Sequence, residues 1–245
     1  MIQSVHFRFA LLLVFLAAAT ACGGGKRTAA TDSATANSAM LTNTAPSTVP
    51  APAASASGSV PPVIDSIGAY GESLYDEVKA GRWAKAQHLT DQLTSAAKEV
   101  PNMNSTCVVE LTSLVDSLRA TVRAHQQHAA LVQSNQVTRL AAEMTRPYTS
   151  LMPLEVLLMD YQGRELDVWS AAKDVPRLKQ TTADIRRTWD ALRPRIESRN
   201  HMERVRTTDA IVSRIEAAKT PAQWGAAAKP LLDEVDELEK VFASK

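Results

Sequence analysis

Val175, Leu178, Thr182, Ile185, Trp189, Leu192 and Ile196 stand alternately three and four residues apart. On a helix of 3.6 residues per turn that spacing gathers every one of them onto a single stripe, which must be covered by something apolar. The same spacing recurs in Trp224, Ala228, Leu231, Val235, Leu238 and Phe242. It is present again in Leu111, Leu114, Leu118, Val122, His125, Ala129 and Val132, and in Leu154, Leu158, Tyr161, Glu165 and Val168. Sustained alternation of β-branched residues is absent, so no strand is expected. Several helices, each with one apolar stripe, bury those stripes best against one another. The expected fold class is all-α, an antiparallel bundle of about six to seven helices.

Punctuation between the stripes sets the expected limits at 62–80, 83–100, 105–146, 153–172, 175–200, 203–219 and 221–243. Gly81, Pro101, Pro147 and Pro153 act as stops, and Asp174 and Thr220 as caps ahead of Pro176 and Pro221. The third helix is long, with a weak point near Ser134–Asn135. Pro194 and Pro230 fall inside helices and are expected to kink or interrupt them, because proline removes a backbone N–H and crowds the preceding turn. "GRWAKAQHLTDQL" and "AQWGAAAKPLLDEV" both place a tryptophan at the head of an alanine-rich helix, a hint of a duplicated helical pair.

The stretch ahead of these helices has a different character. Residues 1 to 8 carry Arg8 and no acid, and Phe9 to Ala18 is an unbroken apolar run. The run falls well short of the ~20 residues that cross a membrane as a helix. Small residues Ala19, Thr20 and Ala21 follow. A basic start, a short apolar middle and a small-residue end make an export signal, residues 1–21, cut after Ala21. Residues 22–60 are dominated by Ala, Ser, Thr, Gly and Pro with no aromatic residue. Such a linker cannot bury enough apolar surface to offset its ordering entropy and is expected to be a disordered tether. GGGK at 23–26 lacks the spacing and the following Ser or Thr of a phosphate-binding loop. The third part, 61–245, is large enough to hold a core of its own.

Ala19-Thr20-Ala21-Cys22 resembles the lipobox of bacterial lipoproteins, although Ala19 stands where that family usually has Leu. The resemblance covers residues 1–25 and implies that Cys22 becomes the mature amino terminus and carries lipid, palmitate among it. It further implies a protein held to the membrane of the cell envelope by its acyl chains. Gly23 after the cysteine, where Asp would retain it, favours the outer membrane, facing the periplasm. Several acyl chains on one residue exceed the single chain that binds only marginally. Lipidation of Cys22 would leave Cys107 without an intramolecular partner, as a small apolar residue at the start of a helix.

Charge limits the partners. Removing residues 1–21 takes away Arg8 alone, leaving 26 Lys plus Arg against 26 acids. With no net positive field, nucleic acid is not an expected partner. Another envelope protein or the cell wall is. Residues 175–214 are rich in Arg and Lys, whereas the last helix holds Asp233, Glu234, Asp236, Glu237 and Glu239; neighbouring helices with complementary solvated faces account for both.

No GxSxG, HExxH, CxxC, GxGxxG or EF-hand loop occurs, so no catalytic residue and no cofactor are assigned. His125 and His128 are the candidate metal residues. Three apart on one helix, their imidazoles could approach a single transition metal or a haem iron. Glu143 and Glu165 could complete the site, with Met144, Met152 and Met159 near in sequence. His88 and His201 have no partner in view. The expected protein is therefore a membrane-tethered, non-catalytic bundle that engages a partner, the alternative being a periplasmic bundle that binds metal or haem through His125 and His128.

Overall fold

The computed structural model describes residues 58–100, 106–148 and 150–243. The export signal, Cys22 and nearly all of the linker lie outside them. Eight α-helices and no strands are found among the described residues: α1 (Pro62–Lys79), α2 (Trp83–Lys98), α3 (Thr106–Arg123), α4 (Gln127–Met144), α5 (Leu154–Ala172), α6 (Val175–Glu197), α7 (Met202–Ala217) and α8 (Pro221–Ala243). The all-α antiparallel bundle is thus present, with one helix more than expected.

The extra helix comes from the segment 105–146. It breaks at residues 124–126 and not near Ser134–Asn135, which lie in the middle of α4. His125 takes φ +52° there, and Gln126 N–H returns to Thr121 C=O at 2.9 Å. Three other turns close in the same way. Gly81 (φ +70°), Lys173 (φ +57°) and Asn200 (φ +63°) are each followed by an N–H that reaches back five residues, from Arg82 to Glu77, Asp174 to Trp169 and His201 to Ile196. One left-handed residue satisfies the last carbonyls and reverses the chain. Glycine announces such a turn in a sequence; histidine and lysine do not.

The helices form two closed rings of four. Within the first, α1 packs on α2 and α4, and α3 on α2 and α4; the second repeats this arrangement with α5 to α8. Each ring has its own apolar core. Ile67, Leu74, Leu93, Leu111, Leu118 and Leu140 belong to the first, and Met159, Leu178, Trp189, Leu192, Leu231 and Leu238 to the second. The α6 and α8 stripes read from the sequence supply half of the buried residues of the second core. The two tryptophan-led segments do not occupy equivalent places, since α2 is the second helix of its ring and α8 the fourth. The architecture repeats, but that pair of segments does not mark the repeat.

Pro194 and Pro230 interrupt neither helix: α6 runs on to Glu197 and α8 to Ala243. Pro194 stands near the end of α6, and the turns on either side of Pro230 are pinned by buried Ala227, Ala228, Leu231 and Val235. Burial of those flanking side chains outweighs one lost backbone hydrogen bond.

The rings meet along α4 and α5. These two helices are covered on every side, with no exposed residue from Ala129 to Thr145 or from Met152 to Ser170. Each presents one face to its own ring and another to the seam. That second burial is why Asn135 and Glu165 are polar and yet buried, whereas Gln162 turns to Thr188 of its own ring.

Candidate functional site

The seam is built from polar side chains that three helices bring together on α5. From α4, the Asn135 amide donates to Tyr161 C=O at 3.0 Å and to Glu165 Oε1 at 3.3 Å, and Gln136 donates to the Tyr161 hydroxyl at 3.0 Å. Trp169 Nε1–H donates to Glu165 Oε2 at 2.5 Å. Burial holds the Glu165 carboxyl above the usual carboxylate range. From α1, the Tyr75 hydroxyl donates to Asp167 Oδ2 at 2.6 Å, and Lys79 Nζ donates to the same oxygen at 2.5 Å. Burial and the Asp167 acceptor both resist ionisation of Tyr75 and push its hydroxyl up.

One turn away the balance of charge changes. The Arg164 guanidinium lies 3.1 Å from Asp160, 3.6 Å from Glu72 and 3.7 Å from Asp76. Glu239 of α8 joins Asp65, Glu72 and Asp160 around a cleft of about 290 Å³, whose apolar walls are Ile64, Ala69, Ala141 and Leu157 among others. Burial, reinforced by the negative charge of Asp160, pushes the Glu72 carboxyl up to about 7. Asp160 is raised chiefly by burial, and Glu239 by burial and then by Asp160. Arg164 pulls the other way on all three, without cancelling the effect. This acidic cleft is the most distinctive chemical feature of the described residues. Its members are spread from α1 to α8, and no local spacing in the sequence connects them.

The residues singled out from the sequence are placed elsewhere. His125 is not on the apolar stripe of α3: it occupies the α3–α4 turn, exposed, with its ring stacked on Trp83 at 4.6 Å. His128, also exposed, meets the edge of Trp169 at 5.4 Å between ring centres. The break between α3 and α4 therefore removes the shared helical side on which the pair was expected, and each imidazole has its own aromatic partner. Glu143 pairs with Arg146 at 2.7 Å, while Met144 belongs to the first core and Met159 to the second. Glu165 is in the seam, apart from Glu143. Cys107 is a free thiol, half-buried against the first core. Among the described residues, no three His, Cys, Asp or Glu side chains are grouped as a metal site would need. No helix among them is long and apolar enough to cross a membrane.

The basic and acidic stretches of the second ring pair across helices. Arg186 of α6 grips Glu216 of α7 at 2.6 Å, and Arg204 of α7 reaches Glu234 of α8 at 3.1 Å. Arg199 and Arg195 stack over Phe242. The charges are thereby largely consumed within the fold.

The fold and seam define an all-α protein of two side-by-side four-helix rings. No family model, curated protein or solved structure matches the chain.

Proposed function

We propose that this chain is a lipoprotein of the bacterial cell envelope, tethered to the membrane through Cys22, whose paired four-helix rings serve as a non-catalytic interaction domain. The observation that carries the reading is the order of features at the amino terminus: Arg8, the apolar run Phe9 to Ala18, then Ala19-Thr20-Ala21-Cys22. An export signal ending on a cysteine, followed by a long polar linker, suits a domain that works at a distance from a membrane anchor. The outer membrane, facing the periplasm, is the proposed address. The partner is taken to be another envelope protein or the cell wall, and not nucleic acid, given the balanced charge.

Mass spectrometry of the mature chain expressed in a bacterium tests this directly. An acylated Cys22 at the amino terminus is expected, with the protein partitioning into detergent. Cys22→Ser should accumulate as uncut precursor or leave the detergent phase. A wild-type mature terminus without lipid would overturn the assignment.

A further inference from the structure

We propose that the acidic cleft between the two rings is a proton-operated latch, holding the rings tightly together in mildly acidic surroundings and loosening them above neutrality. The geometry is that of a seam short of positive charge. Glu72, Asp76 and Asp65 approach it from α1, Asp160 from α5, and Glu239 from α8, with Asp236 of α8 acting on Asp160 and Glu239. The cation held among them is Arg164. The neighbouring Lys79 is engaged by Asp167 one turn along. From α4 only Thr138, Ala141, Ala142 and Thr145 line the cleft, and none of them carries charge.

With every carboxylate ionised, one guanidinium faces several negative charges brought together from separate helices. Like charges in a partly dry cleft repel, and they do so between α1 of one ring and α5 and α8 of the other. Proton uptake by Glu72, whose carboxyl stands at about 7, removes one of these charges and with it the repulsion from Asp160. The sign follows from linkage. A carboxyl raised above its unfolded value of 4.5 binds protons more readily in the folded chain. Stability therefore rises as pH falls through about 7 toward 4.5, and it is lost on the way back up. Carboxylates held low by salt bridges give the opposite trend. The seam is the place where the effect acts, because the carboxylates face one another across it, those of α1 against those of α5 and α8.

The test uses the full-length chain in detergent. Its melting midpoint should rise by roughly 3 °C between pH 8 and pH 5.5. In a Cys22→Ser, Cys107→Ser background, dyes placed at Lys85→Cys on α2 and Ser213→Cys on α7 read the separation of the rings by single-molecule energy transfer. The distribution should be broad at pH 8 and narrow at pH 5.5. Glu72→Gln with Glu239→Gln, both nearly isosteric, should melt at or above the wild type at pH 8, flatten the pH response and keep the transfer distribution narrow throughout. Three results would each overturn the latch: a wild-type midpoint that falls over this range, a transfer distribution unchanged by pH, or a double variant that keeps the wild-type response.

Discussion

Two glycines on one face of α1 are expected to respond with opposite signs to the same substitution. A methyl group added at Gly68 would meet Ala141 Cβ at 3.5 Å, an ordinary van der Waals contact. At Gly71, one turn on, it would meet Thr138 Oγ1 at 2.8 Å, Thr138 N at 3.0 Å and Ser134 O at 3.1 Å. Two of those three are backbone atoms of α4, which cannot withdraw unless the helix shifts within both the first ring and the seam. Alanine stabilises a helix interior relative to glycine by roughly 0.5–1 kcal/mol. Gly68→Ala should keep that gain. Gly71→Ala should lose it to overpacking, which costs about 1–3 kcal/mol. The two variants should differ by about 2 kcal/mol, or roughly 4–8 °C in melting midpoint for a domain of this size. Calorimetry of the full chain and both variants at one pH measures this. Equal midpoints, or a Gly71→Ala protein more stable than Gly68→Ala, would refute the claim that α1 and α4 touch closely at Gly71.

Other substitutions test the turns and the buried charges. His125→Ala keeps the left-handed strain of the α3–α4 turn and loses the stack on Trp83, so it should cost about 1 kcal/mol, whereas His125→Gly relieves the strain and should fall closer to the wild type in urea unfolding. Arg204→Ala leaves the Glu234 carboxyl, only 4% exposed, with Thr208 as its remaining partner. Because Arg204 is itself partly solvated, the cost should be about 2 kcal/mol, less than for a fully buried pair, and larger than that of Glu234→Gln. The same unfolding measurement ranks the two, and the reverse order would show that Glu234 is not held by Arg204.

Much of the fold is legible where one helix faces one core. The stripes of α6 and α8 are readable because each helix turns a single side inward, so Ile185, Trp189, Leu231 and Val235 keep their spacing. Legibility fails where two helices face two partners. The stripe chosen for α5, through Leu154, Leu158 and Tyr161, follows half-buried positions, because α5 is covered all round and its deepest residues are Val156, Met159 and Leu166. Ser134 and Asn135 look like a weak point in a helix, yet Asn135 is in fact a seam residue bonded to Tyr161 and Glu165, and Ser134 lies beside Gly71 of α1. His125 continues the spacing of the α3 stripe by coincidence, past a turn that no glycine marks. The acidic cleft was out of reach, since Glu72, Asp160 and Glu239 belong to helices far apart in the chain and are only united by the packing of one ring on another.

The division into two rings has a consequence for how the chain is made. Every helix–helix contact of the first ring lies between residues 62 and 144, so that ring can close before α5 to α8 have been synthesised or exported. Its contacts are local, between helices that follow one another or close the ring, a pattern associated with rapid folding. A half-made protein of this kind must still survive with α4 uncovered on its outer side. The side left waiting carries Asn135 and Gln136 beside Leu131 and Val132, which pack against the second core, so the first ring waits in water with a small mixed patch exposed and gains its apolar cover only when the second ring closes on it.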